Sequence, residues 1–157
     1  DYVLHQAALG SIPRSIKDPI MTNTVNIDGS KHVGGGKRLK RKDLYPASSS
    51  TYGDSEKLPK KEYEIGSPLS PYAITKYVNE LYATIFKNSY VLDIIGLVIL
   101  MFIEKKDSNG AYPAVIPKFV AQLIDHESPT IKGDGSNSRD FTYIENVIEM
   151  NFLALTR

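Results

Sequence analysis

Val91-Leu92-Asp93-Ile94-Ile95-Gly96-Leu97-Val98-Ile99-Leu100-Met101-Phe102-Ile103 follows directly on a helical pattern that opens at Pro71. The run is apolar and β-branched without alternation, which reads as a strand buried on both faces, the habit of a parallel sheet. Ahead of it, Tyr72, Ile74, Val78, Leu81, Tyr82 and Ile85 recur with a period near that of an α-helix. Pro71 suits the first helical position, where a missing N–H costs nothing. A helix feeding such a strand predicts α/β architecture. The most apolar part, Ile94 to Ile103, is only ten residues long. A membrane-spanning helix needs about 20, so no membrane partner is expected.

Working towards the N-terminus, Leu44 to Ala47 reads as a short strand weakened by Pro46. Ser48-Ser49-Ser50-Thr51-Tyr52-Gly53 then reads as a loop, continued to Pro71 by a long connection rich in Pro, Ser, Gly and charge. Asp1 to His5 reads as a buried strand that runs into the small-residue loop Gln6-Ala7-Ala8-Leu9-Gly10. Pro13 to Asp18 is polar, and Pro19 opens a helix expected over Ile20 to Asp28. Gly34-Gly35-Gly36 breaks the pattern, and five of the six residues from Lys37 to Lys42 are basic. Towards the C-terminus, a helix is expected over Ala114 to Ile124, a short strand over Thr130 to Lys132, a turn at Gly133-Asp134-Gly135, and an amphipathic helix over Glu145 to Leu155.

The 157 residues suffice for one domain, and 41% hydrophobic content with 24% charge argues against wholesale disorder. Nineteen basic and eighteen acidic side chains leave a net charge of +1, which disfavours a nucleic-acid-coating protein. The run Lys37 to Lys42 could mark a phosphate-binding or targeting patch, but no aromatic platform accompanies it, and a solvated helix end is the preferred reading. Gly34-Gly35-Gly36-Lys37 lacks the spacing of a phosphate loop. The absence of cysteine excludes disulfides and thiol nucleophiles and fits a reducing, cytoplasmic setting. No metal site is read. The chain starts at Asp1 without a methionine and reads as an excerpt of a longer protein.

The chemistry-bearing pair is Tyr72 and Lys76, at spacing i, i+4 on one helix face. A free tyrosine has a pKa of about 10, so roughly one in a thousand is ionised at pH 7. Service as a base needs about 4 kcal/mol of preferential phenolate stabilisation, part of which an ammonium one turn away supplies. A serine hydroxyl can hold the substrate oxygen in line. Ser48, Ser49 and Ser50 lie 22–24 residues upstream, at the end of a strand, where α/β folds place their sites.

With their surroundings these residues form a recognisable series. It comprises His5-Gln6-Ala7-Ala8; Asn26-Ile27-Asp28-Gly29; Ser48 to Gly53; Pro68-Leu69-Ser70-Pro71-Tyr72-Ala73-Ile74-Thr75-Lys76 with Asn79-Glu80; Asn109-Gly110-Ala111-Tyr112 with Val115-Ile116-Pro117-Lys118; and Gly133-Asp134-Gly135 with Ser138-Arg139-Asp140-Phe141-Thr142-Tyr143-Ile144-Glu145-Asn146. The series resembles the extended short-chain dehydrogenase/reductases, the NAD-dependent epimerase/dehydratase family, and in particular its UDP-N-acetylglucosamine/UDP-glucose 4-epimerases.

The resemblance implies a partial Rossmann-like, doubly wound parallel sheet with helices on both faces. Residues 1–104 would be the C-terminal half of an NAD-binding domain, and 105–157 the start of a smaller substrate lobe. It implies that Tyr72 is the base, that Lys76 lowers its pKa and holds the nicotinamide ribose, and that Ser48 hydrogen-bonds the reacting oxygen. Ala7, Ala8 and Asn26 would line the NAD cofactor, Ser49 and Ser50 would face the UDP-sugar substrate, and Arg139 would bind its diphosphate. His5 is expected to be structural. A cytoplasmic homodimer, built through the two helices flanking the site, is the family's usual state.

The sequence also departs from the family pattern. No glycine-rich NAD turn is present. The family's Gly-Leu-Arg-Tyr-Phe-Asn-x-x-Gly reads here Gly96 to Glu104, so Val98 replaces the arginine, Met101 the substrate-contacting asparagine and Glu104 the glycine. Methionine offers no amide hydrogen bonds. The alternatives are therefore a catalytically impaired member kept as a structural or binding piece, or a dehydratase or decarboxylase. A dehydratase would usually carry Asp-Glu where Ser49-Ser50 stands.

Overall fold

The strand at the centre of the fold is β2, Lys42–Ser48. It pairs in parallel with β1, Tyr2–Leu4, on one side and with β3, Asp93–Ile99, on the other, giving the sheet order β1-β2-β3. The computed structural model describes residues 2–34, 42–90, 92–99, 102–103, 115–131, 133–136, 138 and 140–156. Registers run from Tyr2↔Lys42 to Leu4↔Leu44 and from Lys42↔Asp93 to Ser48↔Ile99.

Pro46 therefore lies in a middle strand, longer than the Leu44–Ala47 expected. The register explains its tolerance. β1 contributes only three residues, and His5 N–H donates to Leu44 O at 2.9 Å just past its end. Main-chain groups alternate sides along a strand, so Pro46 turns its ring nitrogen to the same side, beyond β1, where no ladder donor is needed.

The polar stretch Pro13 to Asp18, to which no element is assigned from sequence, forms a helix, α1, Ile12–Lys17. Ser11 Oγ accepts from Arg14 N–H at 3.3 Å, and Pro13 occupies the first turn. Asp18 ends α1 and starts α2, Pro19–Asn23, where its Oδ1 accepts from Met21 N–H at 2.9 Å. The cap side chains and Pro13 carry the signal; a search for apolar periodicity passes over six residues this polar. The chain continues through a π-helical segment, Thr24–Asp28, into α3, Gly29–Gly34. The expected Ile20–Asp28 helix is thus several linked pieces. Gly35, Gly36 and residues 37–41 of the basic run lie outside the described residues; Lys42 is described and pairs with Asp93 at 3.4 Å.

α4 is Pro71–Tyr90, and α4 packs against α1, α2, β2 and β3. Its buried side chains are Ala73, Thr75, Lys76 and Asn79, whereas Ile74, Leu81 and Ile85 are about half exposed. The apolar period thus marked the helix correctly, but its stripe is not the buried side.

The strand expected from Val91 to Ile103 is two strands, β3 and β4, Phe102–Ile103. β3 is not buried on both faces: Asp93 and Gly96 are exposed, and Ile94, Ile95, Leu97 and Val98 are half-buried. Among the described residues no strand pairs with its outer edge. β1 is open for the same reason, with Tyr2 and Leu4 exposed rather than buried.

α5 is Val115–Ile124, β5 is Thr142–Tyr143 and α6 is Ile144–Thr156. β4 and β5 form a second parallel pair, and α6 packs on β2 and β3. Thr130 and Ile131 form no strand; Lys132 lies outside the described residues. Gly133 and Gly135, at φ 84° and 80°, make the expected turn, with Asp134 Oδ1 accepting from Ser136 N–H at 3.0 Å. The boundary expected at 104/105 also lies outside the described residues. The architecture is α/β, Rossmann-like, with helices packed on a parallel sheet. Among the described residues no helix is long and apolar enough to cross a membrane.

Candidate active site

Ser48 is the last residue of β2, and the chain turns at once into a 3₁₀ segment, Ser49–Tyr52. Ser48 Oγ accepts from Ser50 N–H at 3.2 Å and lies 2.8 Å from Ser50 Oγ. Thr51 Oγ1 donates to Ser48 O at 2.8 Å. These bonds hold Ser48, Ser49 and Ser50 in one turn at the C-terminal end of the sheet, all half-buried.

α4 starts beside that turn. Ser70 Oγ accepts from Ala73 N–H at 3.1 Å, a buried N-cap, and Pro71 fills the first position. The cap fixes Tyr72 as the second residue of α4 and places Lys76 one turn further in. Lys76 is buried, and its Nζ donates to Pro46 O at 3.1 Å, two residues before Ser48. Burial pulls the Lys76 ammonium below the ordinary lysine range, and the nearby Glu80 carboxylate opposes that pull.

Asn26, in the π-helical segment, is fully buried. Its Oδ1 accepts from Leu9 N–H at 2.7 Å, and its Nδ2 donates to Leu9 O at 3.1 Å and to Thr75 Oγ1 at 3.0 Å. Thr75 Oγ1 donates in turn to Tyr72 O at 2.8 Å, and Asn79 Nδ2 donates to Asn26 O at 3.1 Å. The Asn26 amide thereby joins the 5–10 loop, which carries Ala7 (exposed) and Ala8 (half-buried), to the first turns of α4. A single misfolded turn in the 12–34 region would move both.

The structure thus brings Ser48, Ser49, Ser50 and Lys76 around the start of α4 that carries Tyr72, and ties the Ala7–Ala8 loop to it through Asn26. His5 Nε2 lies 3.2 Å from Ser30 Oγ; burial and the Lys76 charge hold its pKa low, with Asp43 opposing. Arg139, Met101, Glu104 and the Asn109–Tyr112 motif lie outside the described residues, while Val98 is half-buried in β3. Sequence reasoning assigned no role to Thr51, Ser70, Asn79 or Glu80. Ser70-Pro71 is a legible cap signal. The others become visible only once α4 meets the serine turn.

Comparison with known proteins shows the family and the fold. The profile of the NAD dependent epimerase/dehydratase family matches residues 1–157. A curated relative, the putative UDP-glucose 4-epimerase of Methanocaldococcus jannaschii, is 31% identical over 159 residues, covering 99% of this chain and 52% of the relative. Among solved structures, UDP-N-acetylglucosamine 4-epimerase from Methanobrevibacter ruminantium, in complex with UDP-N-acetylmuramic acid, superposes with a TM-score of 0.90 at 42% identity. That match covers 99% of this chain and 51% of the solved one. UDP-glucuronic acid 4-epimerase from Bacillus cereus, solved with UDP-glucuronic acid and NAD, gives 0.90 at 27% identity over 100% and 50% of the two chains. The chain spans about half the length of the curated relatives it matches.

Proposed function

Because the chain belongs to the NAD dependent epimerase/dehydratase family, we propose that it carries the proton-transfer half of an NAD-dependent 4-epimerase acting on UDP-sugars of the UDP-N-acetylglucosamine or UDP-glucose type. The observation that carries this reading is the buried Lys76, one turn after Tyr72, with its ammonium on Pro46 O directly behind the Ser48 turn. Tyr72 as phenolate takes the proton from the sugar 4-hydroxyl as C4 is oxidised to the ketone. It returns the proton when the turned-over ketone is reduced on its other face. Lys76 supplies the positive charge the phenolate requires, and Ser48 holds the reacting oxygen. Ser49 and Ser50 face the sugar, and Arg139 takes the diphosphate as a planar fork donor.

NAD, when bound, supplies the acceptor and donor for the C4 hydrogen. The residues present suit that group. An ammonium has three donors, so Lys76 retains two after Pro46 O and would hold the ribose hydroxyls. The small, accessible Ala7–Ala8 segment at the end of β1 would border the cofactor, with Asn26 acting through that loop because its own amide is taken by Leu9 and Thr75. Such chemistry on nucleotide sugars fits the cytoplasm. The test is C4 inversion of UDP-glucose, UDP-N-acetylglucosamine and UDP-glucuronic acid, followed by proton NMR, in the protein carrying these residues with NAD added. Turnover of at least one is expected; a folded protein that inverts none overturns the reading.

The same proposal includes a homodimer through α1 and α4. Ile74, Leu81 and Ile85 form one stripe of α4, at 51%, 49% and 57% exposure, and α1, which packs against α4, exposes Ile12 and Ile16. Exposed apolar stripes on neighbouring helices mark an association surface. Light scattering should give twice the 17.5 kDa of this chain for the parent and the single value for Leu81→Glu. A parent at the single value overturns the dimer.

A further inference from the structure

His5 is held twice at the end of β1. Its main-chain N–H donates to Leu44 O at 2.9 Å, and its ring Nε2 lies 3.2 Å from Ser30 Oγ of α3. The second contact has a direction. Ser30 Oγ donates to Asn26 O at 2.7 Å, and a carbonyl oxygen can only accept, so the single hydroxyl proton of Ser30 is committed. Ser30 Oγ meets the imidazole as an acceptor, and Nε2 carries the hydrogen. The series therefore runs from His5 Nε2–H to Ser30 Oγ to Asn26 O. Asn79 Nδ2 donates to the same carbonyl at 3.1 Å, which fills its two lone pairs.

Asn26 thus meets the 5–10 loop at both ends. Its side-chain amide takes the N–H and the C=O of Leu9, at 2.7 and 3.1 Å, and its carbonyl takes His5 through Ser30. Only Gln6, Ala7 and Ala8 lie between His5 and Leu9. We infer that His5 is a positioning residue: its Nε2–H fastens the near end of this loop to Asn26 and so sets the Ala7–Ala8 edge against which the cofactor would lie. The role rests on the reading of Ala7, Ala8 and NAD given above, and adds to it a residue that acts through the loop rather than on the cofactor. Electrostatics run the same way. Burial and the Lys76 charge favour the neutral ring, and Asp43 opposes them. A neutral ring carries one N–H, and the Ser30 contact decides which nitrogen holds it.

The first test needs no ligand. The ring nitrogens of His5, identified by their loss in His5→Gln, are observed by ¹⁵N NMR at about pH 8, where an ordinary histidine is neutral. The Nε2–H tautomer is expected in the parent; the Nδ1–H tautomer overturns the inference. The second is amide hydrogen exchange at Leu9, whose N–H is held by Asn26 Oδ1. Exchange should quicken by about tenfold in His5→Phe, the worth of one hydrogen bond, and stay near the parent's in His5→Gln, whose side-chain amide replaces the donor. Equal exchange in the parent and His5→Phe overturns the role, as does a His5→Gln variant no better than His5→Phe. NAD affinity should fall in the same order, and an affinity that His5→Phe leaves unchanged overturns the link to the cofactor. A parent with the expected tautomer and exchange that binds no NAD counts against the proposed function, and the His5 latch stands.

Discussion

Tyr72→Phe is expected to lower sugar C4 inversion by about 10²–10⁴-fold, the range a positioned acid–base group contributes. The substitution removes one oxygen and leaves the rest of the arrangement in place. The Ser70 cap still opens α4, the Tyr72 carbonyl still accepts from Thr75, and Asn26 still joins Thr75 to the 5–10 loop. Stability and nucleotide affinity should therefore stay near the parent's while the chemical step collapses. The signature is a fall in kcat without a matching rise in KM. Turnover within a few-fold of the parent would mean that another group moves the proton, and the site would have to be redrawn around it.

Gly53→Ala should cost about 3 kcal/mol of stability, the sum of a forbidden backbone region and a hard clash. Gly53 sits at φ 51° and ψ −123°. A Cβ there would meet Ser67 O at 1.9 Å and Ser67 C at 2.4 Å, and a Cβ on Gly66 would meet Tyr52 O at 2.1 Å. The two backbones touch without side chains between them, and Ser67 N–H also donates to Asp54 Oδ1 at 2.8 Å. One of these strands of loop follows the serine turn; the other leads into the Ser70 cap. Forcing them apart separates Ser48 from Tyr72. The urea midpoint should fall accordingly, with turnover lost even where the variant remains folded. A loss of stability below about 1 kcal/mol would show that the loop relaxes around the methyl group.

These two residues also show what the sequence does and does not reveal. Tyr72 and Lys76 are legible because a helix fixes what i and i+4 share, and Pro71 marks where the helix starts. Ser48 is legible as the end of a strand. Gly53 is visible only as a loop glycine; that it abuts Ser67, fourteen residues on, follows from tertiary closure. The same limit explains α4. Periodicity finds its stripe of Ile74, Leu81 and Ile85, but the side it buries carries Thr75, Lys76 and Asn79. Polar residues go inward there because partners await them: Asn26 for Thr75 and Asn79, Pro46 O for Lys76. The α1 helix is missed for a related reason, since its ends are written in caps, Ser11 and Asp18, more than in apolar spacing.

The brevity of β1 has a further effect on how the sheet terminates. The last rung on that side of β2 joins His5 N–H to Leu44 O; the next would fall on Pro46 O, and a side chain from α4 makes it instead. Had β1 run two residues further, a backbone amide would compete with Lys76 for that oxygen. Where a strand stops thus decides where a charge is seated. The seam between strand and helix is closed by the lysine proposed to serve the chemistry, so in that reading the edge of the scaffold and the electrostatics of the site are not separable by mutation.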